Sequence, residues 1–273
     1  MPAINTNVAA LFAQQSLRVN ERNQSNAMRQ LSTGSRINTA GDDAAGIAIG
    51  QSMTAQVRGL NQAVRNLNDG INMMQTAEGA LGETSNMLQR MRELAVQSAN
   101  GTISTSQRGY LQTEFAALSA QIDKISKDTK WNDQSVLSSA TTFTFQAGMS
   151  SGQTIAVAIG AMGAGDLTLA TANASIAVSI TNATAAITSV DAAIATVASA
   201  RATIGAGINQ MTYAVDNLSN VAANTAASRS TIMDTDYATA STQLSRTQII
   251  QQAATAMLAQ ANQQPQSVLA LLK

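Results

Sequence analysis

Residues 53–74 read MTAQVRGLNQAVRNLNDGINMM, with apolar side chains at Met53, Val57, Leu60, Val64, Leu67, Ile71 and Met74. The steps alternate four and three. That heptad spacing keeps one stripe of a helix turned toward a helical partner along its whole length. A second ladder of the same period lies far downstream. It runs Ile176, Ile180, Ala183, Ile187, Val190, Ile194, Val197, then Ile204, Ile208, Met211, Val215 and Leu218. Stripes this long predict helices packed lengthwise, and a structural or assembly protein.

The composition points away from catalysis. The 273 residues include no His and no Cys, 3% aromatic residues and two prolines. Without Cys there are no disulfides, thiolate nucleophiles or usual zinc frameworks. Without His the commonest general base and metal ligand are gone. The reading is therefore not an enzyme, with no cofactor and no metal. Lys+Arg 16 balances Asp+Glu 16, so no basic footprint points to nucleic acid. Charged residues are 12% against 45% hydrophobic, a balance that suits close helix packing better than an independent soluble monomer. The start, Met1-Pro2-Ala3-Ile4-Asn5, lacks a basic region followed by an apolar run, which argues against a cleaved secretory signal. No run of 18 apolar residues suggests a membrane span.

Outward from the first ladder, a helix is expected from an Asp42 or Asp43 N-cap to about Ala99, roughly 80 Å long at 1.5 Å per residue. Past Met74 the stripe moves to Ala77, Leu81, Thr84, Leu88, Met91 and Ala95, while Glu78, Ser85 and Arg92 fall where apolar residues were due. This reads as a register change. Before it, a helix over about 4–33 carries Ile4, Val8, Leu11, Leu17, Met28 and Leu31, interrupted by Glu21 and Gln24. Thr33-Gly34 supplies its stop. After it, Ser104 and Gln107 form a capping box. The helix they open carries Leu111, Phe115, Leu118, Ile122 and Ile125 and should end near Thr129. Phe143 and Phe145 alternate with polar residues, and Ile155, Val157 and Ile159 with Ala, which predicts a β-hairpin. Arg201 is the one charge in the second ladder, expected as a helix over about 173–228. The chain resets near Ser230 to Asp234. A last helix, about Asp236 to Leu272, carries Leu244, Ile250, Ala254, Met257, Leu258 and Ala261; Pro265 should bend it or weaken one turn. Val268, Leu269, Leu271 and Leu272 form an apolar tip that implies burial against another copy or a partner.

Several of these stretches resemble bacterial flagellin. They include Ile4-Asn5-Thr6-Asn7, Leu31-Ser32-Thr33-Gly34-Ser35-Arg36-Ile37-Asn38 and Ala40-Gly41-Asp42-Asp43-Ala44-Ala45-Gly46. Leu88-Gln89-Arg90-Met91-Arg92-Glu93-Leu94-Ala95-Val96-Gln97-Ser98-Ala99-Asn100-Gly101-Thr102 matches as well, with Phe145-Gln146-Ala147-Gly148, Asp236-Tyr237-Ala238 and Leu258-Ala259-Gln260-Ala261-Asn262-Gln263. The resemblance implies a mainly α fold: a long antiparallel helical bundle or coiled coil with a small β-hairpin, its terminal helices paired in a filament core. It divides the chain into a filament-core domain, residues 1–43 with 232–273, and a three-helix rod domain, residues 44–231, with the hairpin at about 140–165. This is a short form, with no room between about 165 and 173 for outer variable domains.

The implied function is a structural subunit that polymerises into the flagellar filament used for motility, secreted through the flagellar type III channel without a cleaved signal. Implied partners are other copies of the chain in a helical filament, hook-associated junction and cap proteins, an export chaperone at the C-terminal helix, and a host Toll-like receptor. Neither nucleic acid nor membrane is expected as a partner. Receptor contact by resemblance falls to Gln89, Arg90, Leu94 and Glu114. Assembly falls to Ile4, Val8, Leu11, Leu31, Leu244, Ile250, Met257, Leu258, Val268, Leu269 and Leu272. A hook–filament junction protein, which has similar ends, is the nearest alternative. For Arg90 and Arg92, a solvated helix face is the plain alternative to a functional contact.

Overall fold

The computed structural model describes residues 6–169 and 176–270, with side chains to residue 263. Ile4 and Leu272, and the side chains of Val268 and Leu269, lie outside that description. The described elements are α1 (Val8–Thr33), α2 (Ala44–Ser98), α3 (Thr105–Asp128), β1 (Lys130–Trp131), β2 (Gln134–Ser135), β3 (Thr141–Gln146), β4 (Thr154–Ile159), α4 (Ile180–Met233) and α5 (Tyr237–Ala270). The fold is mainly helical, with two antiparallel strand pairs. The chain forms two compact units, residues 1–57 with 223–273 and residues 58–222.

In the unit that holds both chain ends, α1 and α5 pair antiparallel. Asn7 Nδ2 donates to the Ala261 carbonyl and Asn20 Nδ2 to that of Thr247, each at 2.7 Å, so partners descend as α1 ascends. The covered positions on α1 are Ala10, Ala13, Leu17, Asn20, Gln24, Ala27 and Leu31. Those on α5 are Ala240, Leu244, Thr247, Gln251, Ala254, Leu258 and Ala261. Both rows step three and four throughout. Gln24 therefore does not interrupt the stripe; it sits in it, half-buried. The ends form as their sequence directs. The Asn7 side chain caps Ala10 N–H, and Gly34 takes the left-handed conformation (φ 71°), its N–H returning to Gln30. Asp43 Oδ1 accepts from Gly46 N–H at 2.9 Å and opens α2. Past α4, Arg36 N–H donates to the Met233 carbonyl (2.6 Å) and Thr235 N–H to Gly34 (2.9 Å), tying the two inter-helix crossings together. The last helix continues through Pro265 to Ala270.

In the other unit, α2 buries Leu60, Ala63, Leu67, Gly70, Met74, Ala77, Leu81, Thr84, Leu88, Met91, Ala95 and Ser98. The steps are three and four without a break, so the register change expected past Met74 does not occur. The same correction applies to the second ladder. Its buried row on α4 is Ala183, Ala186, Val190, Ala193, Val197, Ala200, Ile204, Gly207 and Met211. Val64, Ile71, Ile187, Ile194 and Ile208 are half-buried flanks, and Ile180 is exposed. Each flank residue stands one position past a small residue that occupies the seam. One position is a 100° turn, so counting only large side chains placed every second rung on the wrong face. Arg201 likewise leaves the seam to Ala200. Ser119 and Ser126 hold the corresponding positions on α3, beside half-buried Leu118 and Ile125.

Large and small side chains thus alternate down the seams, which lets helix backbones approach closely. Two small positions also seat the β3–β4 hairpin, whose register pairs Phe143 with Val157 and Phe145 with Ile155. A Cβ on Gly70 would lie 2.7 Å from the Phe145 ring, and one on Gly207 2.7 Å from Val157. Salt bridges mark the helix directions. Arg92–Asp191 and Arg201–Glu78, both 2.6 Å, run α2 and α4 antiparallel; Arg90–Glu114 at 2.9 Å joins α2 to α3. The expected capping box at Ser104 and Gln107 is present. The β1–β2 turn was not anticipated. Its signal is Asn132-Asp133, which both adopt positive φ (47° and 63°), as a two-residue hairpin requires. By length and apolarity alone α4 is sufficient to cross a bilayer. Here its seam is buried and its Asp191 and Arg201 pair with α2.

Candidate functional site

The α1–α5 pair leaves large apolar side chains in water. Measured from the covered row at 100° per residue, Val8, Leu11, Phe12 and Val19 project from the opposite face of α1. Phe12 is 71% exposed. On α5, Ile249 (66% exposed) lies opposite its covered row, with Ile250 and Met257 on the flank. Gln15, Ser16, Val19, Asn20, Asn23 and Ile250 line a shallow groove along the pair.

The expected assembly residues therefore divide. Leu31, Leu244 and Leu258 are half-buried within the pair, whereas Val8, Leu11, Ile250 and Met257 face outward. The sequence reading missed Phe12, Val19 and Ile249. Their signal was present: Val8 and Phe12 are one turn apart on the face that the heptad leaves uncovered.

The second candidate surface lies on α2 and α3. Gln89, Arg90 and Glu114 are exposed and adjacent. Arg90 Nε donates to Glu114 Oε1 and Nη1 to Glu93 Oε2, each at 2.9 Å. The Glu114 hydrogen bond, followed by that of Glu93, raises the Arg90 pKa above its ordinary value. The guanidinium is thus held in one orientation on an open surface. Leu94 differs from the other three. It is fully buried with Leu88 and Met91, so its side chain is not part of the surface. The exposed apolar residue beside the set is Val96, which with Gln89, Arg92, Glu93 and Gln97 lines a shallow depression.

Residues 4–142 match the family model described as the bacterial flagellin N-terminal helical region, and residues 187–272 match that of the bacterial flagellin C-terminal helical region. The chain is 43% identical to a flagellin of Halalkalibacterium halodurans over 271 residues, 99% of each protein. It is 39% identical to the flagellar filament 33 kDa core protein of Treponema phagedenis, again over 99% of each. The crystal structure of Bacillus cereus flagellin superimposes with a TM-score of 0.50 at 31% identity, covering 56% of this chain and 88% of that one. A putative flagellar hook-associated protein from Vibrio parahaemolyticus gives a TM-score of 0.60 at 15% identity over 70% of this chain and 99% of that one, a likeness of fold.

Proposed function

We propose, for a chain that belongs to the bacterial flagellin family and is a structural subunit of the flagellar filament, that the outer faces of α1 and α5 bury against neighbouring subunits. The family is structural, not enzymatic, and forms filaments with itself and with related hook-associated proteins. The observation that carries the proposal is the uncovered row Val8, Leu11, Phe12, Val19 together with Ile249 and Met257. Burying a side chain of this size is worth about 1.5–3 kcal/mol. Several per subunit supply a drive to polymerise. An open filament needs head-to-tail contacts rather than closed two-fold pairs, so the α1 and α5 rows of one chain meet different neighbours. Residues 1–43 with 232–273 act as the filament-core domain and 44–231 as the rod.

The subunit is exported to the extracellular filament through the flagellar type III channel. An export chaperone covers the apolar face of α5 before secretion, and junction and cap proteins take the place of neighbours at the filament ends. Gln89, Arg90 and Glu114 form the contact for the Toll-like receptor, with Leu94 holding α2 in place from beneath. The supporting observation is the fixed Arg90–Glu114 pair on an open face.

The test is seeded polymerisation followed by sedimentation and negative-stain microscopy. Wild-type protein should form long filaments, and Phe12→Asp with Ile249→Asp should stay in the supernatant with unchanged helix content. Filaments of normal length from the double variant would remove the proposal.

A further inference from the structure

Asn100-Gly101 is the one Asn-Gly pair in the chain. It forms the exposed turn between α2 and α3. Thr102 N–H donates to Asn100 Oδ1 at 3.2 Å. That oxygen is where negative charge develops when a nucleophile adds to the side-chain amide carbon, and a fixed N–H donor there lowers the barrier. The nucleophile at hand is the Gly101 backbone nitrogen. Glycine has no side chain to shield it, and even a Cβ at 101 would meet only Ile180, at 4.0 Å. Beside the turn is Arg108, 8% exposed. Among the described residues its Nε has no partner, and its Nη2 makes one long bond, 3.4 Å, to the Asn100 carbonyl. A buried guanidinium without a carboxylate is costly.

We propose that Asn100 is a self-modification site, deamidated through a cyclic imide, and that the carboxylate produced is received by Arg108. The Gly101 nitrogen bonds to Asn100 Cγ and gives up its proton to solvent. The Cγ–Nδ2 bond breaks and ammonia leaves. Water then adds to the imide and opens one of its two C–N bonds, giving aspartate or isoaspartate. The chain gains one negative charge at the turn, and no oxidant or cofactor takes part. The new carboxylate stands at the unfavourable end of the α2 dipole, so Arg108 is what makes it tolerable.

The full chain, incubated in mildly alkaline buffer made with heavy-oxygen water, tests this by peptide mass spectrometry. Residue 100 should take up one heavy oxygen and lose its amide at least about tenfold faster than helical Asn72 and Asn224, since it combines a following glycine with a main-chain N–H on its amide oxygen. Gly101→Ala, which the turn has room for, should slow the change. Equal rates at all three asparagines would overturn the site. Thermal melts test the receiver. The Tm change caused by Asn100→Asp should be more favourable with Arg108 present than in Arg108→Gln, and identical changes would overturn the pairing.

Discussion

Asn20 of α1 donates through Nδ2 to the main-chain carbonyl of Thr247 on α5, 2.7 Å away across 227 positions of sequence. Both residues are buried, in rows lined mainly by Ala and Leu. An amide that must find its acceptor in a dry seam is satisfied in one axial alignment, so the bond fixes the register of the two chain ends.

Asn20→Ala should therefore loosen that alignment. The expected cost is about 1 kcal/mol for the lost bond. Amide exchange in α1 and α5 should quicken while α2 stays protected. Unchanged exchange in α1 would show that the apolar rungs alone set the register.

The glycines separate by what lies over them. Gly70→Ala and Gly207→Ala should each destabilise by about 1–3 kcal/mol, because a Cβ there drives into the hairpin. Nothing lies within 4 Å of a Cβ at Gly79, Gly82 or Gly205. Alanine at those three should stabilise by up to about 1 kcal/mol each through helix propensity. Thermal melts of the five variants give the comparison, and a single sign for all five would refute it.

Three carboxylates make stability depend on pH. Asp42 is held below its ordinary pKa first by the Thr39 N–H, then that of Asn38. Asp123 is lowered first by Lys127 and then by the Ala164 N–H. Asp236 is lowered first by the Thr239 hydroxyl and then by the Ala238 N–H. A folded pKa below the unfolded one gives stability that is full above about pH 4 and is lost as pH falls through the lowered values. Melts of the monomer should be flat near neutrality and drop on acidification below that point. Asp123→Asn should start less stable and drop less; an acid slope as steep as wild type would exclude Asp123 as a contributor.

For the proposed receptor surface, Arg90→Ala with Glu114→Ala should abolish reporter-cell signalling with little change in Tm, because exposed ion pairs contribute at most about 1 kcal/mol. Leu94→Ala should instead lower stability by about 2–5 kcal/mol through the cavity it opens. Full signalling by the Arg90/Glu114 variant would exclude this patch.

Much of the architecture was legible in the chain. The heptad period located α2, α3 and α4, Ser104 with Gln107 located the α3 start, and alternation located β3 and β4. The α1 stop at Gly34 followed from the need for a residue that tolerates positive φ. The seams themselves were misread, because Ile71 and Ile187 weigh more in an apolar count than Gly70 and Ala186. A small residue buries little area of its own, so its role shows only when the partner that needs the space is known. The candidate surface was divided for a related reason. Leu11 and Leu31 are the same residue type on the same helix, one turned outward and one inward.

Sequence by itself determined that the chain is helical, that its helices pair lengthwise, and which family it belongs to, because periodicity and motif spacing are local properties of the chain. Only the tertiary structure decided which face each ladder buries. That choice depends on packing between residues far apart in sequence, where Gly70 must clear Phe145 and Gly207 must clear Val157. It also decided what remains outside: a heptad turns one stripe toward its partner, and Phe12 and Ile249 stay exposed because α1 and α5 cover each other along the other side.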